Sequence, residues 1–333
     1  MLPDTHISLA HGNGGRQMRE LIDDLFVRHL GNPGLDANAD ATPIAPPDQE
    51  LMVTTDGFTV DPLEFPGGDI GSLAVNGTVN DLAVSGADPH YLTLSCFIEE
   101  GFELARLRRL IQSMAAAART AGVDVVAGDT KVVRRGEGGG VYLSTTGIGT
   151  RRRGLVLGIG RIQPGDRILL SGPVGDHGTA VLLARGEFGL RGELRSDCAA
   201  VTPICRAVRE IDGLRFMRDP TRGGLATVAH EMMRCTGLSI RLREPHIPIR
   251  LEVQAVCEML GYNPLYLACE GRVVAVVAPD AADAALAAMR QAGADAVEIG
   301  SVEEAGDMVV LETELGGERL LEELESDPLP RIC

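Results

Sequence analysis

The chain has 333 residues, enough for about two domains with packed cores, and its 44% apolar and 23% charged residues are those of an ordinary globular protein. A net charge of −16, only 3% aromatics and no Trp oppose nucleic-acid binding, which needs a cationic footprint and stacking platforms. No segment reads as a secretory leader, and the longest aliphatic run, Val273 to Ala278, is too short to span a bilayer, so a cytoplasmic protein without membrane contact is expected.

In chain order, the first feature is the glycine loop His11-Gly12-Asn13-Gly14-Gly15-Arg16, a candidate phosphate lid that lacks the Gly-Lys-Thr/Ser ending of a Walker loop. Strands are predicted at Leu51 to Thr55, Tyr91 to Phe97, Val123 to Ala127 and Val141 to Ile148, with helices at Gly71 to Ala87 and Phe102 to Ala121 between them. The second helix carries an apolar stripe at Leu104, Leu107, Ile111, Met114 and Ala118. After the Arg151-Arg152-Arg153-Gly154 break the alternation restarts. Strands follow at Arg167 to Ser171, Leu238 to Leu242, Val273 to Val277, Ala296 to Ile299 and Met308 to Leu311, with helices at His177 to Arg185, Gly224 to Cys235 and Ala281 to Ala292. The break falls near residues 152–160, which predicts an α/β (α+β) chain with domains at 1–155 and 156–322 and a tail at 323–333. The acidic stretch Glu318 to Asp327 reads as a solvated lead-in.

The tail, Asp327-Pro328-Leu329-Pro330-Arg331-Ile332-Cys333, is predicted as a stiff extended arm, because alternate prolines fix φ and bar the helical region. It ends in a thiol with no onward chain, which a narrow pocket could admit; Arg331 should favour the thiolate, opposed by the terminal carboxylate. The seven cysteines form no zinc-like or Cys-x-x-Cys spacing. Cys96, Cys198, Cys205, Cys235 and Cys257 are expected as small core residues.

Four acids sit where elements end beside glycine, threonine or asparagine: Asp56, Asp81, Asp129 (with Thr130 and Lys131) and Asp219. Each alone is more often a turn or cap residue, but carboxylates so mounted also hold Mg²⁺ against nucleotide phosphates. Asn76 and Asn80, four apart, share the helix face beside Asp81.

Gly77-Thr78-Val79-Asn80-Asp81-Leu82-Ala83-Val84-Ser85-Gly86-Ala87, the Ala127 to Lys131 turn, Asp219-Pro220-Thr221-Arg222-Gly223-Gly224 and the Pro-Arg-Ile-Cys end together resemble the HypE family. These are [NiFe]-hydrogenase maturation proteins of the aminoimidazole ribonucleotide synthetase-like (PurM-like) superfamily, and the resemblance spans essentially the whole chain. It implies a two-domain PurM-like fold, a homodimer joined through N-terminal sheets, and a mobile tail. It also implies ATP and Mg²⁺, the metal held by Asp56, Asp81 and Asp219, with Asp129, Thr130, Asn76 and Asn80 alongside and Gly12, Asn13, Gly14 and Gly15 as lid. Cys333 would be carbamoylated by a HypF-like carbamoyltransferase and dehydrated to a thiocyanate, with Lys131 and Glu270 in catalytic roles, and cyanide would pass to iron on a HypC–HypD scaffold. Where the family reads Ala-Asn-Glu-Gly, this chain has Ala268-Cys269-Glu270-Gly271, which places a second thiol near the site. Selenophosphate synthetases of the superfamily would carry a cysteine or selenocysteine in the glycine loop, and residues 11–16 have none. A thiamine-phosphate kinase or the purine enzyme needs no terminal thiol, and a non-catalytic scaffold presenting Cys333 would show no ATP turnover.

Overall fold

The structure is a computed structural model that describes residues 5–12, 16–33, 35, 49–190, 192–324, 329 and 331–333. An opening helical run comprises α1 (Arg16–Leu21), a π-helical turn (Ile22–Val27) and α2 (Arg28–Leu30). The first half then holds β1 (Glu50–Phe58), the short hairpin β2 (Glu64–Phe65) and β3 (Gly68–Asp69), α3 (Ile70–Val84), β4 (Asp88–Glu99), α4 (Leu104–Ala121), β5 (Asp124–Val133) and β6 (Val141–Arg151). Its sheet runs β1-β6-β4-β5, antiparallel except for the parallel β4/β5 pair.

In β6, burial alternates residue by residue, as a sheet with one covered face requires. Helices α3 and α4 cover that face. Asp69 caps α3 by accepting from Gly71 and Ser72 N–H while Ser72 Oγ accepts from Asp69 N–H, a capping box. Gly71 lies so close to α4 that a Cβ there would stand 2.2 Å from Leu110 O. The other face is open and carries exposed Leu51, Val53 and Phe97.

The second half holds β7 (Arg167–Leu170), α5 (Asp176–Arg185), α6 (Thr202–Val208), β8 (Leu214–Arg218), α7 (Gly224–Thr236), β9 (Leu238–Arg243), α8 (Leu251–Leu260), β10 (Val274–Val277), α9 (Ala282–Gln291), β11 (Val297–Ala305), β12 (Val309–Glu312) and β13 (Glu318–Leu320). Its seven strands run β13-β12-β9-β11-β7-β10-β8. Of the stretch expected as a solvated lead-in, residues 318–320 are exposed but pair with β12 as an edge strand, and Leu321 departs from the expectation, buried because it closes the core under β9 and β12. Among the described residues no helix is long and apolar enough to cross a membrane.

The halves share one core. Val181, Leu182, Val253, Leu267, Leu329 and Ile332 pack with the α3/α4 layer, so α5 and the chain's end are wedged against the first sheet. The end is docked. Leu329 and Ile332 are 3% and 2% exposed, Thr59 N–H donates to Cys333 O (3.1 Å) and Asp61 N–H donates to Arg331 O (3.1 Å). Pro328 and Pro330, on which the stiff-arm expectation rests, lie outside the described residues, as do Asn13, Gly14 and Gly15 of the glycine loop; Gly12 closes a single 3₁₀ turn, Leu9–Gly12.

Candidate functional site at the docked C-terminus

Four acids converge where β1, α3 and the loops after β8 and α8 meet. Asp56 comes from β1, Asp81 from the last turns of α3, Asp219 from the residue after β8, and Glu270 from the loop before β10. Asp219 and Glu270 are 5% and 2% exposed. Burial, and then the charge of Asp81, pushes Asp219 up to about 7 and Asp56 up to about 6. Burial also raises Asp81, although Thr54 Oγ1–H donates to its Oδ2 at 2.8 Å and offsets part of the effect. Glu270 is raised well above the carboxylate range, by burial first and then by Asp219, Asp197, Asp56 and Asp81, and its Oε1 is buried without a hydrogen-bond partner. Arg218 and Arg222 supply the opposing positive charge.

Such a set is electrostatically unsatisfied and favours a cation. Among the described residues, however, no three His, Cys, Asp or Glu side chains close on one point as a preformed metal cage would. That donor set fits Mg²⁺ arriving with phosphates, which takes one or two carboxylates and completes its octahedron with water and phosphate oxygens. A cavity of about 310 Å³ adjoins Asp81, walled by Met52, Leu82, Val84, Leu157 and Phe216 with Arg218 at its edge.

Cys333 sits inside this cluster, half-buried. Arg222 Nε–H donates to its Sγ at 3.3 Å, while burial and then the charge of Glu270 push its thiol up to about 12, so it is held protonated. Arg331 was expected to favour the thiolate. Instead its Nε–H donates to Thr59 O (3.0 Å) and its guanidinium lies 5.8 Å from the Tyr142 ring centroid, so Arg222 is the cation on the sulfur.

The remaining sequence candidates divide. Asn80 is committed to backbone: its Nδ2 donates to Ala199 O (3.0 Å) and Glu270 O (3.2 Å), and its Oδ1 accepts from Val201 N–H (2.8 Å). It ties α3 to the Glu270 loop and spends both its amide hydrogens on backbone. Asn76 donates to Cys198 Sγ at 3.5 Å, again a contact between the two halves. Asp129, Thr130 and Lys131 do not join the cluster within one chain. Across the sheet, Asp56 is opposite Thr145, Thr145 opposite Leu94, and Leu94 opposite Gly128. Three strand spacings of ~4.8 Å put β5 about 14 Å from Asp56. There Asp129 and Lys131 pair with each other at 2.9 Å, both more than half exposed, and Asp129 Oδ1 accepts Thr130 N–H.

Cys269 is inert. It is fully buried, its sulfur accepts Gly175 N–H (3.3 Å), and burial drives its thiol far above the usual range. Cys96, Cys205 and Cys257 are core residues as expected, whereas Cys235 is exposed because it falls on the solvent side of α7, and Cys198 is half-buried where it meets Asn76. Sequence reasoning missed Arg222 and His177. The first lay unweighed within a quoted motif; the second, at the start of α5, carried no sequence signal beyond being a histidine.

Residues 38–151 match the family described as AIR synthase related protein, N-terminal domain, and residues 163–312 match the corresponding C-terminal domain. Carbamoyl dehydratase HypE of Azotobacter vinelandii is 46% identical over 331 residues, covering 98% of this chain and 97% of that protein. Among solved structures, hydrogenase maturation protein HypE in complex with ATP superposes with a TM-score of 0.93 at 42% identity, over 98% of this chain and 99% of that one. A chain of the HypE–HypF complex superposes with a TM-score of 0.80 at 40% identity, over 91% and 99%. The two-domain PurM-like fold, the acidic cluster and the cysteine-terminated end thus coincide with full-length similarity: the chain belongs to the HypE family of hydrogenase maturation proteins.

Proposed function

We propose that this chain dehydrates an S-carbamoyl group on Cys333 to a thiocyanate at the expense of ATP, supplying cyanide for the iron centre of a [NiFe]-hydrogenase. The observation that carries this reading is the docked thiol, held by Arg222 beside Glu270 and Asp56. An amide oxygen is a poor leaving group. Attack of the carbamoyl oxygen on the γ-phosphorus forms a C–O–P bond and releases ADP, and one N–H proton leaves as the carbon–nitrogen double bond forms. Breaking the C–O bond then expels phosphate, the second N–H proton leaves and the nitrile forms, so the elements of water depart as phosphate oxygen and two protons. Glu270 is the candidate proton acceptor: burial and the neighbouring carboxylates hold it protonated, and a cation bound among those carboxylates would release it as the base. Arg222 is placed to hold the sulfur and to draw charge from the adjoining oxygen.

Mg²⁺ held by Asp56, Asp81 and Asp219 would shield phosphate charge, and the cavity beside Asp81, lined by both apolar and polar side chains, offers a slot for the nucleoside. The open sheet is the surface proposed for a homodimer. With a two-fold axis along the strands, stacking two such faces sets the β5 edge of one copy over the β1 edge of the other, which would bring Asp129 and Lys131 towards the site of the second copy; Thr130, beside buried Cys96 on the covered face, stays with its own helices. The carbamoyl donor would be a HypF-like enzyme, as in the solved HypE–HypF complex, and the cyanide acceptor a HypC–HypD-like scaffold. Intact mass of the C-terminal peptide tests the reading: with the carbamoyltransferase it gains one carbamoyl group, and with ATP it then loses the elements of water. Cyanation that persists in Cys333→Ala, or a carbamoylated wild type that consumes no ATP, would overturn it.

A further inference from the structure

The chain's last three residues are read by their backbone. Arg331 O accepts from Asp61 N–H (3.1 Å) and from Arg185 Nη2 (2.9 Å), and Cys333 O accepts from Thr59 N–H (3.1 Å). Between them, Ile332 O accepts from His177 Nε2 at 2.8 Å. His177 is fully buried, edge-on to Phe65 with ring centroids 5.3 Å apart. A carbonyl only accepts, so Nε2 carries the hydrogen. Burial pushes the ring down to about 4, so it is neutral near pH 7 and Nδ1 must accept. The donor is Ser196 Oγ–H at 2.8 Å, and Ser196 Oγ itself accepts from Cys198 N–H at 3.0 Å. Every hydrogen in this relay has one consistent direction.

The residue between, Asp197, accepts Glu270 N–H on Oδ1 at 3.1 Å, and its carboxylate faces Arg272 Nε at 3.4 Å. The segment is anchored to the first half by Ser196 N–H donating to Pro66 O (2.8 Å). This approach requires Gly67, where φ is +98° and a Cβ would stand 2.7 Å from the Ser196 backbone. We propose that residues 196–198, acting through His177, form a positioning strap that fixes the penultimate tail carbonyl and the Glu270 backbone together, setting Cys333 in register with Glu270. That Glu270 acts on the group carried by Cys333 rests on the proposed reaction; the seating of the tail by His177 does not, and is tested without ATP or carbamoyl donor.

The test is iodoacetamide labelling of the full chain, with each cysteine followed by peptide mass. Exposed Cys235 serves as reference, and buried Cys96, Cys205, Cys257 and Cys269 report loss of fold. His177→Phe, which removes the donor, should speed Cys333 alkylation about fivefold while the buried thiols stay unreactive. His177→Gln, which keeps an amide donor, should remain within about twofold of wild type. A Phe variant that labels at the wild-type rate with its buried thiols protected overturns the proposal. So does a Gln variant as fast as the Phe variant, since packing rather than the hydrogen bond would then hold the tail. If His177→Phe exposes the buried thiols, Ser196→Ala decides: acceleration of about twofold or more supports the strap, and an unchanged rate overturns it.

Discussion

Asp219 shows what a buried carboxylate costs the fold that holds it. Its value of about 7, and that of about 6 for Asp56, exceed the ordinary value near 3.8, so the native state holds protons that the unfolded chain releases. Stability from these groups is therefore greatest below about pH 4 and declines as pH rises through 6 and 7. At pH 8 the penalty is fully present. Asp219→Asn should melt higher than wild type at pH 8, by about 2 °C for each ~1 kcal/mol relieved, and the gain should shrink at pH 5, where wild type is itself protonated there. The same variant should lose ATP turnover. Equal melting shifts at both pH values would show that the carboxylate is not strained by ionisation. At this scale the sequence was partly legible: Asp56, Asp81, Asp219, Glu270 and Cys333 could be picked from glycine-rich context and resemblance. The roles of Asn80 and Arg222 could not, because an amide spent on three backbone partners and a guanidinium on a sulfur depend on chain segments 111 or more residues away.

Helix α3 carries Asn76, Asn80 and Asp81, and its seating decides where they stand. Gly71 permits the crossing with α4; a Cβ there meets Leu110 O, which belongs to backbone and cannot turn aside. Gly71→Ala should cost ~2 kcal/mol or more in urea unfolding. Gly160→Ala, with open space around it and ordinary φ, should stay within ~0.5 kcal/mol. Comparable losses in both would mean that the α3/α4 approach is not limiting. The helix over 104–121 was legible from its apolar periodicity, whereas that over 70–84, buried on almost every side, has no such stripe and was placed by its composition and the glycines that flank it. Less so were α6, only seven residues long, and β8, whose Leu-Arg-Phe-Met-Arg mixes charge into a strand; α8 opens behind Arg250 without a capping side chain and escaped notice.

For the whole molecule, the open face of the first sheet is an apolar surface that nothing in one copy covers among the described residues. Leu51, Val53 and Phe97 are 48%, 61% and 40% exposed on strands that are otherwise well buried behind. Sedimentation should give a dimer at micromolar concentration, and Val53→Asp should shift it to a folded monomer whose melting temperature is lower and no longer depends on concentration; a wild-type monomer would refute the dimer. Two α/β halves could be read from the alternation of elements about the Arg151–Gly154 break, but strand order could not. Nothing local says that β5 runs parallel to β4 and so carries Asp129 and Lys131 to the far edge. The docked end has one further consequence. On the proposed reaction the group to be transformed never exists as a free reactant, since it is covalently part of the catalyst. Its local concentration is fixed by the fraction of tails seated and not by the amount of protein dissolved. The rate per loaded chain should be indifferent to dilution wherever the assembly persists, saturation should be seen for nucleotide alone, and each chain should turn over once per charge it receives.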